Sequence, residues 1–428
     1  MQSAVKYLVI ALCFLLTSCF IGPVKELSDQ IEESWSDDAP TNATPLTNDI
    51  VNKFVINIIW KQNLGNNIYP YNKFSICNEA IFVSNSDKEI FSFNKTNGKI
   101  LWKNFLNSPI TSGISCDTNN LYFVTSDGFA WAVNNDGELL WKYFIGPVYS
   151  QPLIAKENVV FKTITYEFYS INIITGSKNW VYQSVSPPLT IKTWAKLNFS
   201  DGIVYSGLPG GKCLALDLNS GALVWESTYS PPKGSSEIER ANDSTSMPII
   251  EGPFLYIVAS KGNLATLDKK TGEQMWSRNL SSFYGLRLQD DFVYVIHDSG
   301  SLYSLSKDTG KSFWRNAEYI GRDSKHINFF DEFILIDDFE GYVHFIEKNS
   351  GKTNSRFKLA EDTIMDLFVE ENKIYILSQT GELIMAQIEI NDSQQMSINT
   401  DADLQNKKDN SMKDTNDNSI LDDLIFWN

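Results

Sequence analysis

Histidine is nearly missing from this chain: three residues in 428, His297, His326 and His344. That leaves little material for a histidine metal cluster or a histidine-based catalytic triad. Cysteine is scarce too, and five residues cannot frame a disulfide scaffold at this length. Positive charge is in deficit, with 36 Lys and Arg against 52 Asp and Glu, a net charge of −16. Such a chain has no cation excess to neutralise phosphates, which excludes nucleic acid as a partner. No apolar run approaches the ~20 residues of a membrane span, and no window keeps a helical period. What the chain does have is 43% hydrophobic and 13% aromatic residues. It is too apolar for disorder and long enough for two or three ordinary domains or one repetitive one.

The first nineteen residues carry one cation, Lys6, an apolar run from Tyr7 to Leu16, and then Thr17, Ser18 and Cys19. The run is half a membrane span and reads as the core of a signal peptide, residues 1–18. Leu16-Thr17-Ser18-Cys19 resembles the bacterial lipobox, whose cysteine is lipidated and becomes the mature N-terminus. Acyl chains on Cys19 would anchor the protein, each buried CH₂ contributing about 0.8 kcal/mol. Phe20 stands where an Asp would resemble an inner-membrane retention signal, so the expected destination is the outer membrane, facing the periplasm. Residues 19–53 are polar and read as a flexible tether. Residues 391–428 hold eight Asp against three Lys and read as a disordered acidic tail. Its end, Ile420 to Trp427, is either a docking peptide or a frayed end with chance hydrophobics.

Between the tails the chain repeats itself. A polar turn with Gly, followed four residues later by Trp, recurs at Gly98/Trp102, Gly137/Trp141, Gly176/Trp180, Gly221/Trp225, Gly272/Trp276 and Gly310/Trp314. The Trp spacings are 39, 39, 45, 51 and 38 residues. A seventh turn, Ser350-Gly351-Lys352, is degenerate, with Ser355 at the Trp position. Each Trp unit follows a strand hairpin, and eight hairpins begin near Ile81, Leu121, Val159, Val204, Leu255, Val293, Ile334 and Ile374. A period of about four short strands cannot bury both faces of its own sheet. Stacking copies around an axis does so, which predicts an all-β fold, a β-propeller. The Gly supplies the positive φ of a tight strand connection, and the Trp fills the wedge between blades.

The eighth hairpin, Ile374–Leu377 to Leu383–Ala386, runs into the tail without a Trp strand of its own. Conversely, Phe54 to Trp60 is a lone Trp strand with no hairpin before it. The economical solution is an eight-bladed β-propeller over residues 54–390, of four-stranded antiparallel blades, with the N-terminal strand completing the last blade. A solenoid would leave both ends orphaned.

Repeats such as Leu216-Asp217-Leu218-Asn219-Ser220-Gly221-Ala222-Leu223-Val224-Trp225 resemble those of quinoprotein alcohol dehydrogenases and of the BamB family of outer-membrane assembly lipoproteins. Both are eight-bladed. The quinoprotein resemblance implies pyrroloquinoline quinone and Ca²⁺ beside an adjacent-cysteine disulfide, an amide and carboxylate ligand set and an Asp base. This chain has no Cys-Cys pair. Cys77 and Cys116 lie at matching points of neighbouring repeats, and with Cys213 they read as buried apolar side chains, a disulfide being the alternative. No cofactor, metal or catalytic residue is therefore expected; a quinone-dependent dehydrogenase or a generic ligand-binding propeller remains the alternative reading.

The BamB resemblance extends to two loops. Glu237-Ile238-Glu239-Arg240-Ala241-Asn242-Asp243-Ser244-Thr245-Ser246-Met247-Pro248 is similar to that family's acidic-Arg-x-x-Asp-x-Asp-x-x-Pro segment, and Pro188-Leu189-Thr190-Ile191-Lys192 to its Leu-x-Leu-Arg loop. The resemblance implies a patch for the POTRA domains of BamA, the outer-membrane insertase, within a complex that includes further BAM subunits. It assigns Leu189 and Ile191 as apolar contacts, Lys192 as the cationic one and Asp243 as the acidic one, with Arg240 alongside. Thr245 replaces the second Asp, and Lys192 replaces Arg, losing bidentate geometry. The two longest repeat periods contain these loops, and extra length in a regular array marks function. The structural alternatives are inter-blade packing for Leu189 and Ile191 and a local salt bridge for Arg240 and Asp243. Exposed blade edges would also suit unfolded outer-membrane proteins, received as added strands. Asp217 and Asp268 read as turn-shaping residues, and Gly207 to Gly211 as a hairpin turn.

Overall fold

The computed structural model describes residues 43–47, 50–65, 68–69, 72–185, 187, 190, 195–234 and 242–390. Cys19, Leu189, Ile191, Lys192, Arg240 and the acidic tail lie outside the described residues.

Thirty-two strands form eight four-stranded antiparallel sheets, each a simple meander. Blades 1 to 7 span residues 75–105, 115–144, 153–183, 198–228, 249–278, 286–316 and 327–358. Blade 8 takes three strands from Ile364–Glu370, Lys373–Ser378 and Glu382–Ile390, and its outermost strand is Phe54–Asn63. That strand runs antiparallel to Glu382–Ile390, from Phe54 opposite Ile390 to Asn63 opposite Glu382. The ring is thus latched by the chain's own N-terminal strand, as the orphan ends predict.

Burial explains why isolated blades would not suffice. The middle strands are buried on both faces, as in Leu121-Tyr122-Phe123-Val124. Their apolar clusters straddle blade boundaries: Trp141 of blade 2 packs with Val159 and Phe161 of blade 3. Trp60 of blade 8 packs with Ile81 and Phe93 of blade 1. One continuous core therefore runs round the ring, and non-directional apolar burial holds it together.

The Gly and Trp of the repeat are a single device acting between blades. Gly221, at φ +71°, lies under the Trp180 indole of the preceding blade, where an added Cβ would fall 2.5 Å from the ring. The indole N–H of Trp180 donates to the carbonyl of Leu218 in the same turn, 2.7 Å away. The same pairing recurs from Trp60 on Gly98 to Trp314 on Gly351. A bulge before each repeat Trp turns the ring toward its neighbour: Ala215 faces Trp225 but Leu216 faces Leu223, leaving Val224 as the extra residue. Opposite the six repeat Trp residues from Trp102 to Trp314 stand small partners, Ser92, Ala132, Ser170, Ala215, Thr266 and Ser304. In blade 7 the sizes are exchanged, with Phe345 opposite Ser355.

The Trp plates all lie between blades, each against a Gly of the next, but they are not equally enclosed. Trp60, Trp141, Trp180 and Trp225 are buried, but Trp102, Trp276 and Trp314 are only partly so. Trp276 still covers Gly310 and donates its indole N–H to the Lys307 carbonyl at 2.8 Å, yet it packs only at the margin of the apolar cluster shared by blades 5 and 6. Its strand, Gln274–Arg278, is the outer edge of its blade, where the gap between blades opens to water, and so large a ring is seldom enclosed completely there.

Two expectations need correction, and the first concerns the cysteines. Cys77 and Cys116 are not two buried thiols; they form a disulfide between the innermost strands of blades 1 and 2, with Cα atoms 6.2 Å apart. Those strands are neighbours around the axis, so matching repeat positions face each other. Cys213 is a buried free thiol, as expected. The tether, in turn, does not stay free up to residue 53. Thr44 N–H donates to the Ile320 carbonyl at 3.0 Å, and Arg322 and Arg356 donate to the carbonyls of Thr44 and Thr47. Asn52 accepts from the Arg356 amide. The segment leading into the latch strand is thus strapped to blade 7, because its backbone groups meet donors there that water would otherwise have to replace.

Candidate functional site

Each connection from an outermost strand to the next blade's innermost strand emerges on one face, beside the turn between the two middle strands. Backbone bonds record this: Ser184 N–H donates to Tyr166 O, and Tyr229 N–H to Gly211 O. The two longest connections, 184–197 and 229–248, flank blade 4 on this face.

The described parts of these connections converge on Tyr166, which sits in the middle turn of blade 3 with φ +61°. Its ring is buried, and Thr190 of the first connection lies near its hydroxyl. Burial raises the phenol to about 12; the Asp243 carboxylate of the second connection adds to the rise and Thr190 opposes it. Tyr166 was not legible as a site residue, because its role comes from two distant loops meeting there.

Asp243 and Thr245 do not present their side chains to solvent: they are 1% and 3% exposed. Asp243 accepts from the Gly210 amide at 3.0 Å, and its carbonyl accepts from the Ser260 amide. Thr245 donates its hydroxyl to the Phe283 carbonyl at 2.6 Å. Ser244 bonds the Tyr229 hydroxyl at 2.6 Å, and Gly207 leaves room for it, since a Cβ there would lie 2.5 Å from the Ser244 Cβ. The segment 242–246 is therefore sewn to the hairpins of blades 4 and 5. The expectation that Asp243 and Thr245 touch a partner directly is corrected to a positioning role, because their polar atoms are spent on the chain's own groups. The hairpin turn expected over Gly207 to Gly211 is confined to Pro209, Gly210 and Gly211, since Gly207 and Leu208 still pair with Cys213 and Lys212 in the sheet, and Asp217 and Asp268 accept turn amides from Ser220 and Thr271.

Innermost strands of the blades line an axial channel. A wider cavity of about 540 Å³ adjoins one of about 180 Å³ at the mouth on the long-loop face. The mouth is lined by Lys73, Lys196, Arg287, Lys325 and His326. His326 is held between Asp337 and Asp366, with nitrogen-to-oxygen distances of 3.1 and 3.6 Å. In blade 7, Asp338 accepts from Arg322 and His344 at 2.7 and 3.0 Å. Burial alone would raise the Asp338 pKa, but bonding by His344 and Arg322 holds it below the usual carboxylate range. Among the described residues no three His, Cys, Asp or Glu side chains are grouped to hold a metal ion. No helix there is long and apolar enough to cross a membrane.

These features define a class: closed eight-bladed propellers built on a Gly-x-x-x-Trp repeat, with two enlarged connections on one face. A family model described as outer membrane protein assembly factor BamB matches residues 58–146 and 86–316, and the chain belongs to that family. The BamB of Burkholderia pseudomallei strain K96243 is 29% identical over 354 residues, 81% of this chain and 92% of the relative. The crystal structure of BamB from Moraxella catarrhalis superposes with a TM-score of 0.71 at 22% identity, covering 78% of this chain and all of that one. The quinohemoprotein alcohol dehydrogenase of Comamonas testosteroni shares the fold at a TM-score of 0.65 and 11% identity, over 81% of this chain and 78% of that one.

That last likeness raises the question of a quinone cofactor, and the residues present do not fit one. The described disulfide joins cysteines 39 residues apart rather than adjacent ones. The channel cavities are lined by cations and a single carboxylate, Asp366, in place of a Ca²⁺ ligand set.

Proposed function

We propose that this chain is a non-enzymatic scaffold, lipid-anchored through Cys19 at the periplasmic face of the outer membrane, that docks on the POTRA domains of BamA within the BAM complex and aids the assembly and insertion of outer-membrane proteins. The observation that carries this reading is the convergence of the two longest connections on Tyr166, in a chain whose family is an outer-membrane assembly factor. A rigid ring holds the two loops in fixed relation, so a partner meets a preorganised surface and little ordering entropy is lost on docking. Leu189 and Ile191 supply the apolar anchors and Lys192 and Arg240 the charge. Asp243 and Thr245 hold the second loop in place from beneath.

The test is recovery of the insertase with the detergent-extracted lipoprotein. Truncating a central apolar anchor costs about 2 kcal/mol, a factor of roughly thirty in affinity. A Leu189→Ala, Lys192→Glu double variant that melts like the parent should retain little insertase. Undiminished recovery removes the loop from the interface. Asp243→Asn should weaken recovery less and lower the melting temperature, as expected of a residue that positions rather than touches.

A further inference from the structure

The chain carries a net charge of −16, yet cations gather at one end of its axial channel. They come from different blades. Lys73, Lys196 and Lys325 each lie just before an innermost strand, and Arg287 lies on one. Topology therefore places all four at the mouth on the face of the two long connections. No carboxylate lines the cavity of about 180 Å³ that they surround.

The neighbouring acids are already engaged. Asp366 lies 3.6 Å from Lys73 and 3.6 Å from His326. Asp323 pairs with Lys325 at 3.0 Å, and Asp337 is buried against His326. Among the described residues neither Lys196 nor Arg287 has a carboxylate oxygen within 4.0 Å. The one described hydrogen bond of the Arg287 guanidinium goes to its neighbour, the Leu286 carbonyl, at 3.0 Å. Arg287 opens to channel water but is surrounded by protein, and burial lowers its pKa. Burial and the adjacent Lys73 push the Lys196 ammonium down to about 8; Asp366 opposes the shift and Arg287 adds to it. Like charges brought together disfavour one another's charged form, and an anion between them relieves that repulsion.

We propose that the channel mouth binds a small, multiply charged oxyanion, of the size and charge of pyrophosphate or a tricarboxylate, between Lys196 and Arg287. Charge and size set this class. Two uncompensated cations call for at least two negative charges on the ligand, and the guanidinium fork matches paired oxygens of a phosphate or carboxylate. The enclosed volume suits a small ion and is too narrow for a folded partner. Low dielectric walls focus the field of Lys196 and Arg287 on the mouth, which raises the local anion concentration despite the net charge of the chain. Thr245 and Met247, from the second long connection, line the same cavity, so the ligand would sit directly beneath that loop's base.

The test is calorimetric titration of the full chain in phosphate-free buffer of low ionic strength, with pyrophosphate in one arm and citrate in the other. Saturable one-to-one binding is expected in at least one arm, and the tighter arm assigns the ligand to phosphate or carboxylate chemistry. Lys196→Met and Arg287→Met should each weaken it about tenfold or more, since each removes a charge-assisted bond. Lys178→Met, an exposed lysine on an outer strand, should leave it unchanged. Both mouth variants remove an unpaired cation and should melt no lower than the parent in the absence of anion. If either fails to fold, a rise in the parent's melting temperature with pyrophosphate or citrate supports the site. No saturable heat and no such rise up to about 10 mM of either anion overturns the proposal. Equal affinity in the two mouth variants and the parent, or binding of a polyaspartate peptide alone, overturns it as well.

Discussion

Lys162 ends the second strand of blade 3, only 4% exposed, and its ammonium has no hydrogen-bond partner among the described residues. Burial drives its pKa down to about 8 from 10.5, with the nearby Cys213 opposing. A drop of two to three units, at about 1.36 kcal/mol each, corresponds to about 3 kcal/mol by which the charged form penalises folding. The sign follows from proton counts. Below pH 8 both folded and unfolded chains hold the proton, so the full penalty applies. Between pH 8 and 10.5 the unfolded chain holds the proton and the folded one does not, so stability rises with pH. Lys162→Met keeps an unbranched stem of similar length and removes the charge. Urea unfolding at pH 7 should show the variant about 3 kcal/mol more stable, and the gap should narrow by about 1 kcal/mol at pH 9 as the parent sheds its proton. Comparing two chains at each pH cancels the other titrating groups. A variant no more stable than the parent at pH 7, or a gap that does not narrow, would refute the reasoning.

Gly221→Ala forces a Cβ to 2.5 Å from Trp180 at positive φ and should cost about 3 kcal/mol in thermal or urea unfolding, strain and overpacking together. Gly252→Ala, at φ +54° with nothing within 4 Å, should cost only the backbone part, about 1 kcal/mol. Reducing the disulfide between Cys77 and Cys116, which spans 39 residues, should lower unfolding free energy by up to about 4 kcal/mol, read as a drop in urea midpoint with reductant that a Cys77→Ser, Cys116→Ser variant does not show. Asp338, held ionised against burial by His344 and Arg322, contributes stability in full above about pH 4 that is lost as pH falls below it. Asp338→Asn should therefore flatten the acid limb of the stability profile while costing about 3 kcal/mol at pH 7, where Arg322 loses its buried partner.

The ring was legible because its signal is carried by residues that act locally and repeat. A Gly at positive φ followed by a Trp at fixed distance leaves its mark in every period, and the orphan Phe54 strand announced the closure. How deeply each Trp is enclosed was not legible, since Trp225 and Trp276 carry the same local pattern and differ only in what the next blade places around them. The site was less legible still. The two connections stood out by their length, but nothing in the sequence tells that Asp243 bonds the Gly210 amide or that the loops meet at Tyr166. The disulfide was readable only as matching positions in adjacent repeats, since it is ring geometry that makes their innermost strands neighbours around the axis. The channel cations escaped notice altogether. Lys73, Lys196, Arg287 and Lys325 are scattered over more than two hundred positions, and only closure of the ring brings them together.

The degenerate seventh repeat, in turn, is explained by the way the ring closes. In every other blade the Trp stacks on a Gly in the turn between the third and fourth strands of the next blade. In blade 8 those strands are Glu382–Ile390 and Phe54–Asn63, which no turn connects, because they come from opposite ends of the propeller. A Trp at position 355 would have no glycine to cover. Ser355 instead accepts from the Lys53 amide at 2.9 Å, satisfying the backbone where the latch strand begins. The volume given up is restored from both sides: Phe345 stands where blades 1 to 6 carry a small residue, and Phe54 packs against it with ring centroids 5.1 Å apart. Phe54 also meets Phe333 edge-to-face at 5.1 Å, an arrangement that favours aromatic pairs beyond their buried area. The exception to the repeat is thus the seam itself, where one large-for-small exchange and one backbone bond replace the indole that a continuous chain would have used.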